Sequence, residues 1–343
     1  MTHKKSELAN LNFTVADEKF ATESLYTFGE PEPVEAGGYL DYLGTFLCDT
    51  QEYYVPPISF AGLGKMRHAN AQHGSCIAFR RNMTARCYRT GGLAVDELRS
   101  SLTDLLTFGN AFIEVRRNGF GNIVALSHIP AINMRVRSKN KGFRQLLPDG
   151  KYTDFTPEEV LHIMEYDTNQ QIYGMPDWLG GLQSILLNQD ATLFRRKYFK
   201  NGCHLGYILY TNDPKMTPET RDEIKKKLKE GTGAGNFKTM FVAIPNGGEK
   251  AIQLISVGDI SQQDEFTKIK ELSASDVREA HRVPPVLMGI VPQGTSSLGD
   301  PEKMERVYTT TEVAALAQPY LALNAQLPKN LHFHFNLEIK NHE

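Results

Sequence analysis

Leu193-Phe194-Arg195-Arg196-Lys197-Tyr198-Phe199-Lys200-Asn201-Gly202 reads as the end of a long helix, and the architecture of the rest of the chain follows from it. Leu187, Ala191, Phe194 and Tyr198 recur at helical spacing, which predicts an amphipathic helix over residues 184–201. Arg195, Arg196, Lys197 and Lys200 crowd its last turns, where cations suit the helix dipole, and Gly202 is a natural terminating glycine. Downstream, residues 205–210 have strand character. Thr217-Pro218 opens a short helix to residue 230, rich in lysine at Lys225, Lys226, Lys227 and Lys229. Residues 238–244 and 251–257 read as two more strands, joined by the turn Asn246-Gly247-Gly248. This strand–helix–strand–strand insert is roughly 55 residues, too small for a self-sufficient core, so it needs neighbours. A second long helix is expected over residues 262–282, with Phe266, Ile269, Val277 and Ala280 inward and Pro284-Pro285 ending it. Two long helices therefore flank a small α/β insert.

Outward from that unit, residues 289–299 are small and polar, with Gly294, Thr295, Ser296, Ser297 and Gly299. Asp300 then caps and Pro301 starts a further helix carrying Met304, Val307, Val313, Leu316, Tyr320 and Leu323 inward toward Leu327. The chain closes on an alternating, strand-like stretch at residues 332–337. Towards the N-terminus, residues 58–165 read as an α+β unit. Leu98, Leu102, Leu105 and Leu106 predict a helix over 96–107, and residues 111–116 and 123–126 predict a hairpin around Arg117-Asn118-Gly119-Phe120-Gly121-Asn122. Thr156-Pro157-Glu158-Glu159 has the form of a capped helix start. Residues 1–57, with Glu30-Pro31-Glu32-Pro33, read as a solvated arm open to proteolytic trimming.

The 343 residues are 41% hydrophobic and 23% charged, an ordinary globular composition that excludes a disordered, collagen-like or disulfide-framework chain. The formal charge is −2, which argues against tight non-specific DNA binding by a monomer. That sum hides segregation. Residues 1–50 hold nine acids and three bases, residues 184–257 twelve bases and seven acids, and residues 258–305 nine acids and five bases. Cys48, Cys76, Cys87 and Cys203 form no CxxC pair and fit a reducing compartment. No secretory leader and no run of about 18 apolar residues is present, so no membrane association is expected.

Catalytic patterns are sparse. Gly231-Thr232-Gly233-Ala234-Gly235 follows a helix and precedes a strand, the reverse of a dinucleotide-binding turn. Gly64-Lys65 and Gly150-Lys151 are followed by Met66 and Tyr152, where a phosphate-binding loop needs Ser or Thr. His68, His73, Cys76 and Cys87 match no common zinc spacing. His162 and His281 are expected as structural histidines on amphipathic helices, and His332 with His334 as a surface pair. Adjacent carboxylates such as Asp264-Glu265 and Glu158-Glu159 do not face each other on a helix. The residues point to no catalytic group, cofactor or metal.

The segment from Leu193 to His204 resembles the first stem helix of phage portal proteins, and Ala280-His281-Arg282-Val283-Pro284-Pro285-Val286-Leu287-Met288-Gly289-Ile290 resembles the end of the second. Phe108-Gly109-Asn110-Ala111-Phe112, Glu159-Val160-Leu161-His162-Ile163 and Ile172-Tyr173-Gly174-Met175-Pro176 fit the same family. The best match is to portal-vertex proteins of contractile-tailed, double-stranded DNA phages of the peduovirus type, from about Tyr53 to Leu327.

The resemblance implies an α+β portal fold and a ring, usually dodecameric, at one capsid vertex. Residues 1–57 would be the arm, 58–183 the wing, 184–201 and 258–285 the stem helices, 202–257 the clip, and 286–300 the tunnel-loop region. Residues 301–343 would be a wing/crown helix with a minimal crown. It implies double-stranded DNA passing Val291, Gln293, Gly294, Thr295, Ser296, Ser297, Gly299 and Asp300, with Asp264, Glu265, Lys268, Glu271 and Asp276 on the channel stem helix. Lys225, Lys226, Lys227 and Lys229 would face partners: the terminase large subunit and later a head-completion protein, with major capsid or scaffold protein around the ring. The protein would reside in the virion and, during assembly, in the host cytoplasm. A tunnel loop free of Lys and Arg suits DNA that must slide, because phosphate contacts hold through counterion release. The alternatives are a head–tail adaptor ring, though adaptors lack stem helices around a clip, and a nucleic-acid-processing enzyme, which the missing phosphate-binding loop disfavours.

Overall fold

The computed structural model describes residues 44–48, 50, 52–200, 207–211, 240–243, 252–256, 262–290 and 300–337. They fall into two compact units, one of residues 34–193 with 263–343, the other holding residues 194–262.

In the larger unit, β1 (Phe46–Cys48) pairs antiparallel with β2 (Tyr53–Val55), inside the segment expected as a solvated arm. Tyr53 bridges to Arg137 and the Tyr54 carbonyl accepts from Tyr173 Oη at 2.6 Å, so this stretch is anchored, and Pro56 and Pro57 are buried. Helix α1 (Phe60–Ala69) is capped by Ser59. Asn70 separates it from α2 (Ala71–Cys87), accepting from the His73 N–H at 3.0 Å as that helix's N-cap. After β3 (Tyr88–Thr90), α3 (Val95–Phe108) buries Leu98, Leu102, Leu105 and Leu106 as their spacing predicts.

Strands β4 (Asn110–Arg117) and β5 (Ile123–Ile129) form the expected hairpin. Then come β6 (Met134–Val136), β7 (Phe143–Leu146), β8 (Tyr152–Phe155) and β9 (Val160–Met164). Two antiparallel sheets result, ordered β5–β4–β9 and β6–β7–β8. Alternation along the central strand β4 sends Phe112 to one core, with Phe60, Ile129, Met134 and Trp178, and Ala111, Ile113 and Val115 to the other, with Leu98, Leu102 and Tyr320.

Thr156–Glu159 starts no helix. Glu159 Oε2 accepts from the Thr156 N–H at 2.7 Å and from its hydroxyl at 2.9 Å, but the bonds close a turn that feeds β9. Val160 and its neighbours instead pair with β4, whose apolar faces hold them more strongly than a local helix would. His162 is accordingly on a strand, stacked on Phe112 at 4.3 Å with Nε2 2.9 Å from Asn110 Oδ1.

The two long helices are α4 (Leu182–Lys200) and α5 (Gln262–Ala280). In the smaller unit, β10 (Tyr207–Thr211), β11 (Met240–Ala243) and β12 (Ile252–Ser256) order as β11–β10–β12. The pair β10–β11 is parallel and β10–β12 antiparallel, so the two strands expected on either side of Asn246-Gly247-Gly248 occupy opposite edges of the sheet. A parallel pair needs a long crossover, which residues 212–239 have the length to supply. The expected helix over 217–230 lies outside the described residues.

After Asp300 the expected single helix is observed in three parts: α6 (Pro301–Tyr308), a π turn at Thr309–Val313, and α7 (Ala314–Ala322). Val313, Leu316, Tyr320 and Leu323 are buried, but Met304 and Val307 are exposed, because α6 covers the core only with its final turn. Likewise Val277 is buried on α5, whereas Ile269 and, on α4, Leu187 are exposed. The expected tail strand reduces to β13 (His334–Phe335), paired with β3 and preceded by the buried Phe333.

Candidate functional site

Three sequence blocks separated by up to 67 positions meet at one point. Gly109 ends α3 with φ +69°, and a Cβ there would lie 2.4 Å from the Met175 backbone, so only glycine fits. Asn110 clamps Gly174 from both sides, donating to its carbonyl at 2.8 Å and accepting from its N–H at 2.8 Å. The Glu165 N–H donates to the Gly109 carbonyl at 2.9 Å. This lock holds Glu165 at the end of β9 and sets the approach to Asp177 and Trp178. The Trp178 indole is fully buried and donates to the Leu106 carbonyl at 2.8 Å.

Asp177 is the centre of an ionic hub. Arg80, 1% exposed on α2, binds it bidentately at 2.9 and 2.7 Å, and also lies 3.7 Å from Glu312. Arg282 ion-pairs with the same Asp177 and donates Nε to Glu312 at 3.0 Å. Four charges from α2, the loop before α4, the end of α5 and the π turn are thus joined. The desolvation that would neutralise Asp177 is outweighed by its bonds to Arg80, so its carboxyl stays below the usual range.

Arg282 is also strained. Helix α5 stops at Ala280, short of the Pro284-Pro285 pair, because Arg282 adopts φ +53° and closes a Schellman motif. The Val283 N–H reaches the Arg278 carbonyl at 2.9 Å and the Arg282 N–H the Glu279 carbonyl at 2.8 Å. Glycine is the usual occupant of that position, and a side chain there costs about 1–2 kcal/mol. The two acids hold Arg282 in place.

Beside the hub, His73 Nδ1 and His281 Nε2 are 2.8 Å apart and both rings are fully buried against Trp178. Burial pushes His73 down to about 4 and His281 to about 3, the latter helped by its neighbour. His281 sits one residue past the helix it was expected on.

A polar seam joins the two long helices. Asn188 Nδ2 donates to the Lys270 carbonyl at 3.1 Å and Ser273 Oγ at 3.0 Å, and Asn70 Nδ2 donates to the Ile185 carbonyl at 2.8 Å. Lys270 Nζ reaches Thr192 Oγ1 at 3.1 Å, and Ser184 Oγ donates to Asp276 at 3.2 Å. Asn70, Asn188 and Ser273 are buried and matched, and they define one register between the helices, since any slip leaves them unpaired.

Of the residues singled out in the sequence, Asp276 therefore lies at this seam, while Lys268 and Glu271 are exposed on α5. Asp264 and Glu265 are on α5, their side chains outside the described residues. Asp300 Oδ1 caps α6, accepting from the Glu302 and Lys303 N–H groups at 3.1 and 3.2 Å, and these bonds lower its carboxyl. Val291, Gln293, Gly294, Thr295, Ser296, Ser297, Gly299, Lys225, Lys226, Lys227 and Lys229 lie outside the described residues.

Sequence reasoning passed over Arg80, Asp177 and Glu312. A signal existed for the first: with His73, Cys76, Ile77, Thr84 and Cys87 it shares the buried stripe of α2, where an unpaired arginine is not tolerated. A groove of about 630 Å³ opens beside the hub, walled by Glu165 and Asp177 and floored by Ala315, Leu316, Pro319 and Ala322. Among the described residues no group of three His, Cys, Asp or Glu is placed to hold a metal, and no helix is long and apolar enough to cross a membrane.

A family model described as "Phage portal protein" matches residues 94–340. The chain is 41% identical to the "Probable portal protein" of Haemophilus phage HP1, over 83% of this chain and 84% of that one. It is 36% identical to the "Probable portal protein" of Escherichia phage P2, over 88% of each. A solved chain from the neck of an empty gene transfer agent particle, computed with C6 symmetry, superposes with a TM-score of 0.59. It shares 16% identity, over 83% of this chain and 86% of that one.

Proposed function

The chain belongs to the phage portal protein family, and from that premise we propose how its parts divide the work of a portal ring. As a portal protein it is a virion component at a capsid vertex, assembling as a ring around a DNA channel. One observation supports the division most: two long helices, tied by the Asn188 seam, bracket a separate three-stranded unit. In this reading residues 58–183 are the wing, 202–257 the clip, and 286–300 the tunnel-loop region.

Double-stranded DNA passes the tunnel loop, whose lack of Lys and Arg from residue 290 to 301 leaves few phosphate contacts to hold it. Helix α5 contributes to the channel wall; Lys268, Glu271 and Asp276 are exposed along it, and its acidic balance repels phosphate. The clip lysines Lys225, Lys226, Lys227 and Lys229 face outward, first to the terminase large subunit and then to a head-completion protein. Capsid or scaffold protein surrounds the wing, assembly takes place in the host cytoplasm, and ATP hydrolysis belongs to the terminase.

Reversing all four lysines to Glu tests the clip assignment. The expected result is intact rings whose capture of terminase falls at least tenfold. Unchanged capture, or a ring map with these lysines lining the bore, overturns it.

A further inference from the structure

The tip of the β4–β5 hairpin is built to present one side chain. Asn118 Oδ1 accepts from the Phe120 and Asn122 N–H groups, both at 3.0 Å. The Asn118 N–H bonds the Asn122 carbonyl at 2.9 Å, the Gly121 N–H bonds the Asn118 carbonyl at 2.9 Å, and Arg117 Nη1 donates to the Gly121 carbonyl at 3.1 Å. A loop so fully hydrogen-bonded is ordered before any partner arrives, which removes most of the entropy a docking loop would otherwise lose. On it stands Phe120, 93% exposed. Arg117 beside it makes no ion pair among the described residues.

The groove beside the ionic hub has the opposite character. Its floor of Ala315, Leu316, Pro319 and Ala322 is apolar and mostly small, and its volume of about 630 Å³ exceeds what a phenyl ring needs. Its walls carry three carboxylates against two guanidiniums, a net excess of one acid. Glu165 makes no ion pair among the described residues, and burial raises its carboxyl above the usual range, as expected for an acid lacking a cation of its own.

Knob and groove cannot meet within one chain. Glu165 follows β9 where β4 begins, its N–H bonded to Gly109, whereas Phe120 lies beyond the far end of β4 at Arg117. Strand geometry separates the two by about 25 Å. Complementary features at opposite ends of one body make a head-to-tail contact, and such contacts close into a ring when the rotation between successive copies closes.

We infer that Phe120, with Arg117 at its flank, seats in the groove between Glu165 and α7 of the next copy of this chain, and so forms part of the ring interface. This rests on the portal reading, which supplies a ring but does not say which surfaces meet in it.

The test uses the full chain. The double variant F120C/Q318C places thiols on knob and groove. Oxidation of assembled rings is expected to give a ladder from dimer up to the full ring, absent from either single variant. The variant F120A, with the monomer's melting temperature unchanged, is expected to need at least tenfold more protein to assemble. A ladder that stops at dimer, a species cross-linked only within one chain, no ladder from rings visible by electron microscopy, or F120A assembling within twofold of wild type would each overturn the contact while leaving the ring intact. Wild type that forms no rings under any condition would overturn the portal reading, and this contact with it.

Discussion

Arg282 joins the end of α5 to the rest of the larger unit, and its two roles can be separated. Its left-handed backbone costs about 1–2 kcal/mol, while its guanidinium joins Asp177 and Glu312. Arg282→Gly removes strain and ion pairs together; Arg282→Ala removes only the pairs. The glycine variant should therefore be more stable than the alanine variant by about 1 kcal/mol in urea unfolding, and the reverse order would contradict the strain argument. Arg80 is the more deeply placed partner. Arg80→Ala should cost about 3 kcal/mol, because it leaves Asp177 with one partner instead of two; a loss under 1 kcal/mol would show the hub to be dispensable. The histidine pair gives a pH dependence whose sign is fixed. Both rings are held below the ordinary 6.5, at about 4 and about 3, so the unfolded chain takes up protons before the native one does. Their contribution is complete above pH 6.5 and is lost as pH falls toward 4 and 3. By pH 5 the loss is on the order of 2 kcal/mol per ring, so the melting temperature should drop clearly between pH 7.5 and 5. A flat profile there would mean the rings are not buried neutral.

At the scale of elements, what could be read in the sequence was what depends on local period and on caps. The α3 stripe, the β4–β5 hairpin and the Asp300 cap followed directly from spacing and residue type. Asp300→Ala should accordingly cost about 1 kcal/mol in thermal unfolding, and no change would mean α6 is held by packing alone. What failed depended on partners far away in sequence. Thr156 and Glu159 made their reciprocal bonds, yet the next residues became a strand because β4 was there to pair with them. The order β11–β10–β12 could not be told from short connections, since a central first strand needs the crossover. Met304, Val307, Leu187 and Ile269 have helical period yet are exposed among the described residues, as expected of helices in an assembling subunit. The site was partly legible. Gly109, Gly174 and Arg282 sit in the blocks that carried the family resemblance, and the structure brings these blocks together. Asp177 and Glu312 left no pattern, because ion pairs between residues 30, 97 and 105 positions apart have no period.

On the scale of the whole molecule, the opposed charge of residues 184–257 and 258–305, the exposed apolar residues on α4, α5 and α6, and the Phe120 knob are what a subunit of a larger assembly presents. Its charge of −2 disfavours gripping DNA and suits letting DNA pass. A ring without catalysis of its own should turn over no ATP when terminase is absent; steady hydrolysis by purified rings would contradict that. The central claim is the ring, and electron microscopy of the purified full chain tests it most directly. The account predicts closed rings with a central channel wide enough for duplex DNA, and a compact monomer or dimer under every assembly condition would contradict it.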